Sequence, residues 1–223
     1  MFDAFFEFFT FSQAEQDAIY LSIKIALAAI LYSLPFAIIT AWLLARKNFP
    51  GKALLDGIIH LPLVLPPVVI GYLLLVGMGK NGIIGKYLLQ WFGFSFAFSW
   101  EGAALASAVV AFPLMVRSIR LALEGIDFKL EQAAQSLGAS AMRVFFTITL
   151  PLSFPGILSG LILGFARSLG EFGATVTFVS NIPGVTRTIP LAMYSFIETP
   201  NAETATARLC VIAIAISLIS LIL

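Results

Sequence analysis

Charged and metal-binding side chains are scarce in this sequence of 223 residues. Only 11% of the residues are charged, whereas a soluble domain carries about a quarter; 60% are hydrophobic and the mean hydropathy is +0.99. The single cysteine, Cys210, excludes a disulfide framework and a cysteine metal site. No cluster of carboxylates or cysteines surrounds the single histidine, His60. The composition predicts an integral membrane protein that holds no metal ion, and a net charge of +1 gives no reason to expect nucleic acid as a partner.

The apolar residues form long continuous runs, and these predict membrane-spanning helices. A β-barrel would instead show segments of about ten residues with alternating polarity. We therefore expect an all-α polytopic protein in the lipid bilayer with five spans, and the phenylalanine-rich segment before residue 17 leaves a sixth open. The expected spans are residues 18–45, 54–78 and 100–121, a fourth within residues 152–179, and a fifth that starts at 205.

Three prolines lie within the second expected span, at Pro62, Pro66 and Pro67. Proline has no N–H to donate and its ring clashes with the preceding helical turn. We expect these residues to break or bend the helix, and a role as a gate is the alternative.

Lysine and arginine are distributed unevenly among the loops. If the N-terminus is outside, seven of these residues lie in inside loops and three in outside loops. Because inside loops of membrane proteins are enriched in Lys and Arg, residues 1–17 are predicted to be an extracytoplasmic segment and residues 122–150, the polar segment, to be cytoplasmic. The seven are Arg46, Lys47, Lys52, Arg117, Arg120, Lys129 and Arg143; the three are Lys80, Lys86 and Arg187.

The polar segment reads as a helix, a glycine stop and a second helix. Residues 130–137 are mostly good helix formers. Gly138 suits the left-handed position that ends a helix, and Ser140 suits the N-cap of the next one. The composition of this segment is equally consistent with an ordinary surface helix–turn–helix and with a surface presented to a partner protein.

The spacing within the polar segment favours the partner. Gln132-Ala133-Ala134 is followed four residues later by Gly138, and Pro151 of a Leu-Pro pair lies thirteen residues after that glycine. This pattern resembles the cytoplasmic motif of ABC-importer permeases. Gln132 stands where that family usually has Glu, although Glu131 precedes it, so a salt bridge from position 132 is not expected.

The resemblance covers most of the chain. Residues 49–75, 112–127 and 165–194 are similar to molybdate-transporter permeases. The GEFGA sequence at 170–174 is similar to sulfate permeases as well, whereas NIPGVTRTIP at 181–190 favours molybdate.

The resemblance implies a type I ABC-importer permease fold over residues 18–223, in the bacterial inner membrane. It also implies a second copy of the chain, an extracytoplasmic oxyanion-binding protein and a cytoplasmic ATPase dimer that holds ATP and Mg. The chain has no G-x-x-x-x-G-K-S/T phosphate loop, so it is not the ATPase and we expect it to bind no cofactor. The residues expected to couple to the ATPase are Glu131, Gln132, Ala133, Ala134, Leu137, Gly138 and Ala139.

Two ionisable residues lie in the fourth expected span, Arg167 and Glu171. Because they are four residues apart they can pair on one helix face, either as a structural ion pair or as part of a cavity wall. A pathway for a dianion needs weak binding, and the candidates to line it are Arg167, Glu171, Thr175, Thr177, Ser180 and Asn181.

Three other functions remain as alternatives. A sulfate or thiosulfate permease of the same class shares the GEFGA sequence. A stand-alone secondary transporter would be expected to show an internal repeat or several embedded acids, and the spans show no clear repeat and one mid-span acid, Glu171. An intramembrane enzyme needs a nucleophile with a nearby base, which the lone Cys210 and His60 do not provide.

Overall fold

The computed structural model describes residues 10–222, in which every regular element is a helix. The predicted all-α class is confirmed. The predictions for residues before Thr10, including a sixth helix, lie outside the described residues. The helices are α1 (Gln13–Arg46), α2 (Lys52–Val64), α3 (Pro67–Met78), α4 (Gly85–Phe92), α5 (Trp100–Glu124), α6 (Phe128–Ser136), α7 (Ala141–Leu152), α8 (Phe154–Leu169), α9 (Gly173–Val179), α10 (Ile189–Ile197) and α11 (Glu203–Ile222).

The described helices can cross a membrane up to five times. By length and composition α1, α5 and α11 are each sufficient. Two bent pairs raise the number to five if each is one span: α2 with α3, bent by 114°, and α7 with α8, bent by 63°. The predicted proline break in the second span is confirmed, since α2 ends at Val64 and Pro66 precedes α3.

Helix α1 is the longest element and organises the bundle. A capping box of Ser12 and Glu15 starts it, and it continues through Pro35 to Arg46. Near its start, the buried carboxylate of Glu15 accepts two hydrogen bonds from Arg208 of α11, at 2.8 and 3.0 Å. The hydroxyl of Ser22 accepts a bond from the backbone N–H of Ile189 at the start of α10. The N-terminal part of α1 therefore holds α10 and α11 in place.

Helix α5 packs between α1 and α8. On α8, Gly156, Gly160 and Gly164 face α5, because a Cβ added to each would lie 2.2 to 3.3 Å from atoms of Ala122 or Met115. Glycines spaced four apart allow two helices in a membrane to approach closely. In the described chain this glycine row serves the internal bundle.

The stretch that is predicted to contain the fourth span, residues 152–179, is not one continuous helix. Helix α8 ends at Leu169, Gly170 is its C-cap, and a new helix, α9, starts at Gly173. A further helix, α10, lies between α9 and α11. Glycines at 170 and 173 have low helix propensity, and the side chain of Glu171 stabilises the first turn of α9 by accepting the N–H of Ala174.

Helix α3, which follows the break after α2, contacts helix α9, which follows the break after α8. A Cβ on Gly71 of α3 would lie 2.6 Å from the carbonyl oxygen of Ala174 and 2.8 Å from Cβ of Thr177. A Cβ on Gly173 would lie 2.8 Å from Cβ of Pro67. Glycine is therefore needed on both sides for α3 and α9 to pack at this distance.

Candidate functional site

The polar segment forms the predicted helix, stop and second helix. Asp127 caps α6 by accepting the N–H of Lys129 at 2.9 Å. At its end Gly138 has φ +87°, and the N–H of Ala139 bonds to the carbonyl of Ala134 at 3.0 Å. Together with the bond from Gly138 N–H to the carbonyl of Gln135, this is a Schellman motif. The predicted left-handed glycine is confirmed.

The second helix of the polar segment starts where the sequence predicts. Ser140 caps α7 by accepting the N–H of Arg143 at 3.3 Å. Residues Phe145–Thr149 then form one π-helical turn before Pro151, and α7 meets α8 at Ser153. The segment thus leads directly into a membrane helix.

Large apolar side chains are exposed on the polar segment. Leu137 is 89% exposed and Met142 is 68% exposed. We refer to five exposed residues together as the apolar patch: Phe128, Leu130, Leu137, Met142 and Phe146. Gln132 and Ala133 are exposed beside it and Ala134 is half-buried. Exposed apolar side chains on an otherwise polar segment make it a candidate interaction surface.

Glu131 differs from the rest of the predicted coupling set because its side chain points into the protein. The side chain is 9% exposed, and one carboxylate oxygen, Oε1, accepts hydrogen bonds from Arg46 Nη2 at 2.9 Å and from Thr149 Oγ1 at 3.0 Å. Arg46 also donates to the carbonyl of Ile126. Glu131 therefore does not lie on the exposed surface; it fastens α6 to the end of α1 and to the π-helical turn.

This end of the bundle carries a second set of ion pairs that the sequence did not indicate. Arg120 of α5 lies 3.2 Å from Asp56 of α2 and 2.8 Å from Glu124. His60 lies 3.2 Å from Asp56 and 2.9 Å from its backbone carbonyl. His60 thus has a packing role, and the cluster holds α2 against α5.

At the break between α8 and α9, Arg167 and Glu171 form the predicted pair. Arg167 Nη1 lies 2.8 Å from Glu171 Oε2, while Glu171 Oε1 accepts the N–H of Ala174, also at 2.8 Å. The Glu171 side chain is 1% exposed and the Arg167 side chain 31%. One carboxylate therefore bridges the end of α8 and the start of α9.

Two of the predicted pathway residues use their hydroxyl groups within α9. Thr175 is fully buried and donates to the carbonyl of Phe172 at 2.8 Å. Thr177 is half-buried and donates to the carbonyl of Gly173 at 2.8 Å. Because Thr175 is buried in this structure, its place in a pathway stays a prediction.

The loop after α9 holds an arginine in place. Asn181 donates to Ser195 Oγ at 2.7 Å and to the carbonyl of Leu191 at 3.2 Å, and its oxygen accepts from Arg187 Nε at 2.8 Å. Ser180, with φ +65°, is exposed at the start of this loop. Arg187 was not among the predicted site residues; its only sequence signal was its place in NIPGVTRTIP.

The prolines shape the other break. Pro66 is the N-cap of α3, Pro67 contacts Gly173 of α9, and Pro62 lies inside α2. The break of the helix at Pro66 and Pro67 is confirmed, whereas a bend at Pro62 and a role as a gate stay predictions.

The fold defines the class of protein. A crystal structure of a bacterial ABC transporter involved in the import of the acidic polysaccharide alginate matches with a TM-score of 0.75. The match covers 99% of this chain and 81% of that one, at 20% sequence identity. The fold is that of the membrane subunits of ABC importers, in agreement with the predicted type I fold.

The family follows from the sequence. Residues 17–223 match the model of the binding-protein-dependent transport system inner membrane component, and the chain belongs to this family. It is 75% identical over 209 residues, 94% of this chain and 91% of the relative, to the Molybdenum transport system permease protein ModB of Haemophilus influenzae. It is 41% identical over 173 residues, 78% of this chain and 60% of the relative, to a Probable sulfate transport system permease protein cysT of Chlorokybus atmophyticus.

Proposed function

We propose that the chain is the membrane subunit of an ATP-driven importer of molybdate. The observation that carries this proposal is 75% identity to a molybdenum permease across nearly the whole length of both chains, against 41% to a sulfate permease. The chain is a multi-pass membrane protein, and its charge bias supports an N-terminus outside and a polar segment in the cytoplasm.

The motor is a separate ATPase in this proposal. The exposed apolar patch, in which Leu137 is the most exposed residue, offers a docking surface. Two copies of the chain would enclose the pathway, and an external binding protein, which the family description names, would deliver the oxyanion. ATP and Mg belong to the ATPase.

Force would reach the membrane by two routes. Movement of α6 pulls on Glu131, which is bonded to Arg46 of α1 and to Thr149 just before α8. Rigid-body rocking of these helices would then open the pathway alternately to each side. Coupling requires that ATP and the loaded binding protein favour the same state.

The break between α8 and α9 suits transient passage of a dianion. The charge of Arg167 is balanced by Glu171 at 2.8 Å, which weakens its attraction for a passing anion. Weak binding allows release, as conduction requires. The candidates to line the pathway are Arg167, Glu171, Thr175, Thr177, Ser180 and Asn181, of which Glu171 and Thr175 are buried in this structure.

Uptake in cells tests the substrate. Deletion of the gene is expected to abolish uptake of labelled molybdate and to leave sulfate uptake intact, and tungstate is expected to compete for the same system. Loss of sulfate uptake with normal molybdate uptake would favour the sulfate alternative.

Co-purification tests the partner. An ATP-hydrolysing chain is expected to purify with this one and to be lost with Leu137→Asp, which places a charge in the apolar patch. Leu137→Met is the matched control, since it keeps the apolar contact. Transport by this chain alone in liposomes, driven by an ion gradient, would instead favour a secondary transporter.

A further inference from the structure

A deep apolar groove lies between α1, α2 and α5. Its volume is about 720 Å³, within the range of about 300–1,000 Å³ typical of sites for small molecules. Small side chains, among them Ala28, Ala104 and Ala108, leave the space open, and Tyr32 and Phe36 of α1 are exposed along it. A cavity at membrane depth lined by alanines and aromatic rings suits a hydrocarbon chain.

Charged residues on α1 and α5 mark the two edges of the bilayer core. At about 1.5 Å per residue, Lys24 and Arg46 are about 33 Å apart along α1, and Glu101 and Arg120 about 29 Å apart along α5. Both distances match a hydrocarbon core of about 30 Å. The Lys24 ammonium lies 3.7 Å from the centre of the Trp100 ring, which places Lys24 and the start of α5 at the same level. These charged residues therefore bracket the bilayer core.

Within the bilayer core defined by these charged residues, the groove begins at the headgroup level. It is lined from Glu101 to Phe112 of α5, a length of about 17 Å at about 1.5 Å per residue. Half of a core of about 30 Å is about 15 Å. One acyl chain that enters beside Glu101 would thus reach the end of the groove near the middle of the bilayer.

Charges of both signs lie where the groove meets the start of α5. Glu101 lines the groove, and the ammonium of Lys24 is held over Trp100 next to Glu101 in the sequence. A phosphodiester with a nearby amine can pair with both groups, whereas an anionic headgroup without an amine meets the Glu101 carboxylate unfavourably. Tryptophan at this level is typical of the membrane–water interface.

We propose that this groove is a binding site for one acyl chain of an amine-bearing zwitterionic phospholipid, such as phosphatidylethanolamine. The lipid belongs to the leaflet on the side where α1 begins. Its phosphate pairs with Lys24 and its amine with Glu101. Because lipid tails are as apolar as the groove, the retention comes from close packing and from these headgroup contacts.

Lipid retention by the purified protein tests this site. The protein is equilibrated in mixed micelles with equal amounts of phosphatidylethanolamine and phosphatidylglycerol, and retained lipids are counted by native mass spectrometry. One phosphatidylethanolamine per chain is expected. Ala108→Phe fills the groove and is expected to lower this retention about tenfold, whereas Ala215→Phe, at an exposed position of α11, leaves it unchanged.

A second variant keeps the test decisive if Ala108→Phe does not fold. Glu101→Gln keeps the shape of this end of the groove and removes its negative charge, so the preference for phosphatidylethanolamine over phosphatidylglycerol is expected to fall about tenfold. Equal retention in Ala108→Phe and Ala215→Phe, or an unchanged preference in Glu101→Gln, overturns the proposal. The proposal is also overturned if Ala108→Phe prevents two copies of the chain from associating but leaves lipid retention unchanged. That result would assign the groove to a second copy of the chain.

Discussion

Glu131 and Glu171 are both buried carboxylates paired with an arginine, but they act over different distances in the chain. Glu131 joins Arg46, 85 residues away, and Thr149, 18 residues away, so it ties together three helical segments. Glu171 contacts Arg167 and the N–H of Ala174, four and three residues away. The first carboxylate holds tertiary structure, and the second holds a local turn.

The surroundings of the two arginines differ as well. Arg46 is 11% exposed, whereas Arg167 is 31% exposed. Removing one partner of a buried ion pair leaves an uncompensated charge, and this costs about 3–5 kcal/mol. A guanidinium that reaches water loses less. Loss of Glu131 should therefore be more damaging than loss of Glu171, and four substitutions test this ranking.

Glu131→Ala is expected to have the largest effect. It leaves Arg46 buried without its carboxylate and should lower the free energy of unfolding by about 3–5 kcal/mol. ATP-driven uptake should be lost because α6 is no longer fastened to α1. Thermal unfolding in detergent and uptake in proteoliposomes with the ATPase measure both. Glu131→Gln, which still accepts hydrogen bonds, should be milder, and equal stability of Glu131→Ala and wild type would contradict the role of this residue.

Gly71→Ala should have the second-largest effect on stability. It disturbs the packing of α9, the helix whose first turn donates a hydrogen bond to Glu171 through the N–H of Ala174. The new Cβ would lie 2.6 Å from the carbonyl oxygen of Ala174, so α3 and α9 must separate. Overpacking of this kind costs about 1–3 kcal/mol. Gly77→Ala in the same helix is the matched control, since its Cβ meets nothing within 4 Å. The thermal unfolding midpoint of Gly71→Ala should be lower than that of Gly77→Ala. Equal midpoints would show that α3 and α9 can move apart at no cost in stability.

Gly138→Val acts on α6 from its other end. Nothing lies within 4 Å of the added Cβ, so the cost is the left-handed backbone at φ +87°, about 1–2 kcal/mol for an L-residue and greater for a β-branched one. Uptake should be abolished while the amount inserted in the membrane is normal. Gly138→Asn, which tolerates this conformation, should keep uptake. Normal uptake with valine would argue against docking through this turn.

Glu171→Gln should have the smallest effect, about 1 kcal/mol or less. The amide oxygen can still accept the N–H of Ala174, and Arg167 retains access to water. Thermal unfolding of Glu171→Gln and Glu131→Ala in the same detergent measures the difference between the two carboxylates. If Glu171→Gln destabilises the protein as much as Glu131→Ala, the distinction between local and long-range carboxylates is wrong.

Features set by neighbouring residues were predictable from the sequence. The left-handed Gly138, the N-cap Ser140 and the proline break before α3 follow from the conformations these residues allow. The pairing of Arg167 with Glu171 follows from their spacing. Each involves atoms within about one helical turn, where sequence and geometry are closely linked.

The break at residues 170–172 was not predicted from the sequence. Glycine-rich apolar sequence is common in membrane helices that continue, and hydropathy alone does not distinguish these from helices that end. The break becomes evident only when Glu171 is seen to cap α9 and Gly173 to contact Pro67. In the broken form Gly173 packs against Pro67 of α3, about a hundred positions away in the chain.

The sequence by itself determined the helical membrane class, the main spans and the helix–glycine–helix of the polar segment, because hydropathy and backbone preferences are local properties. Only the tertiary structure decided that Glu131 faces Arg46, that the glycine row of α8 packs on α5, and that α3 meets α9. These contacts depend on how separate helices are placed beside one another. That placement is set by the packing of the whole bundle, which no single stretch of sequence contains.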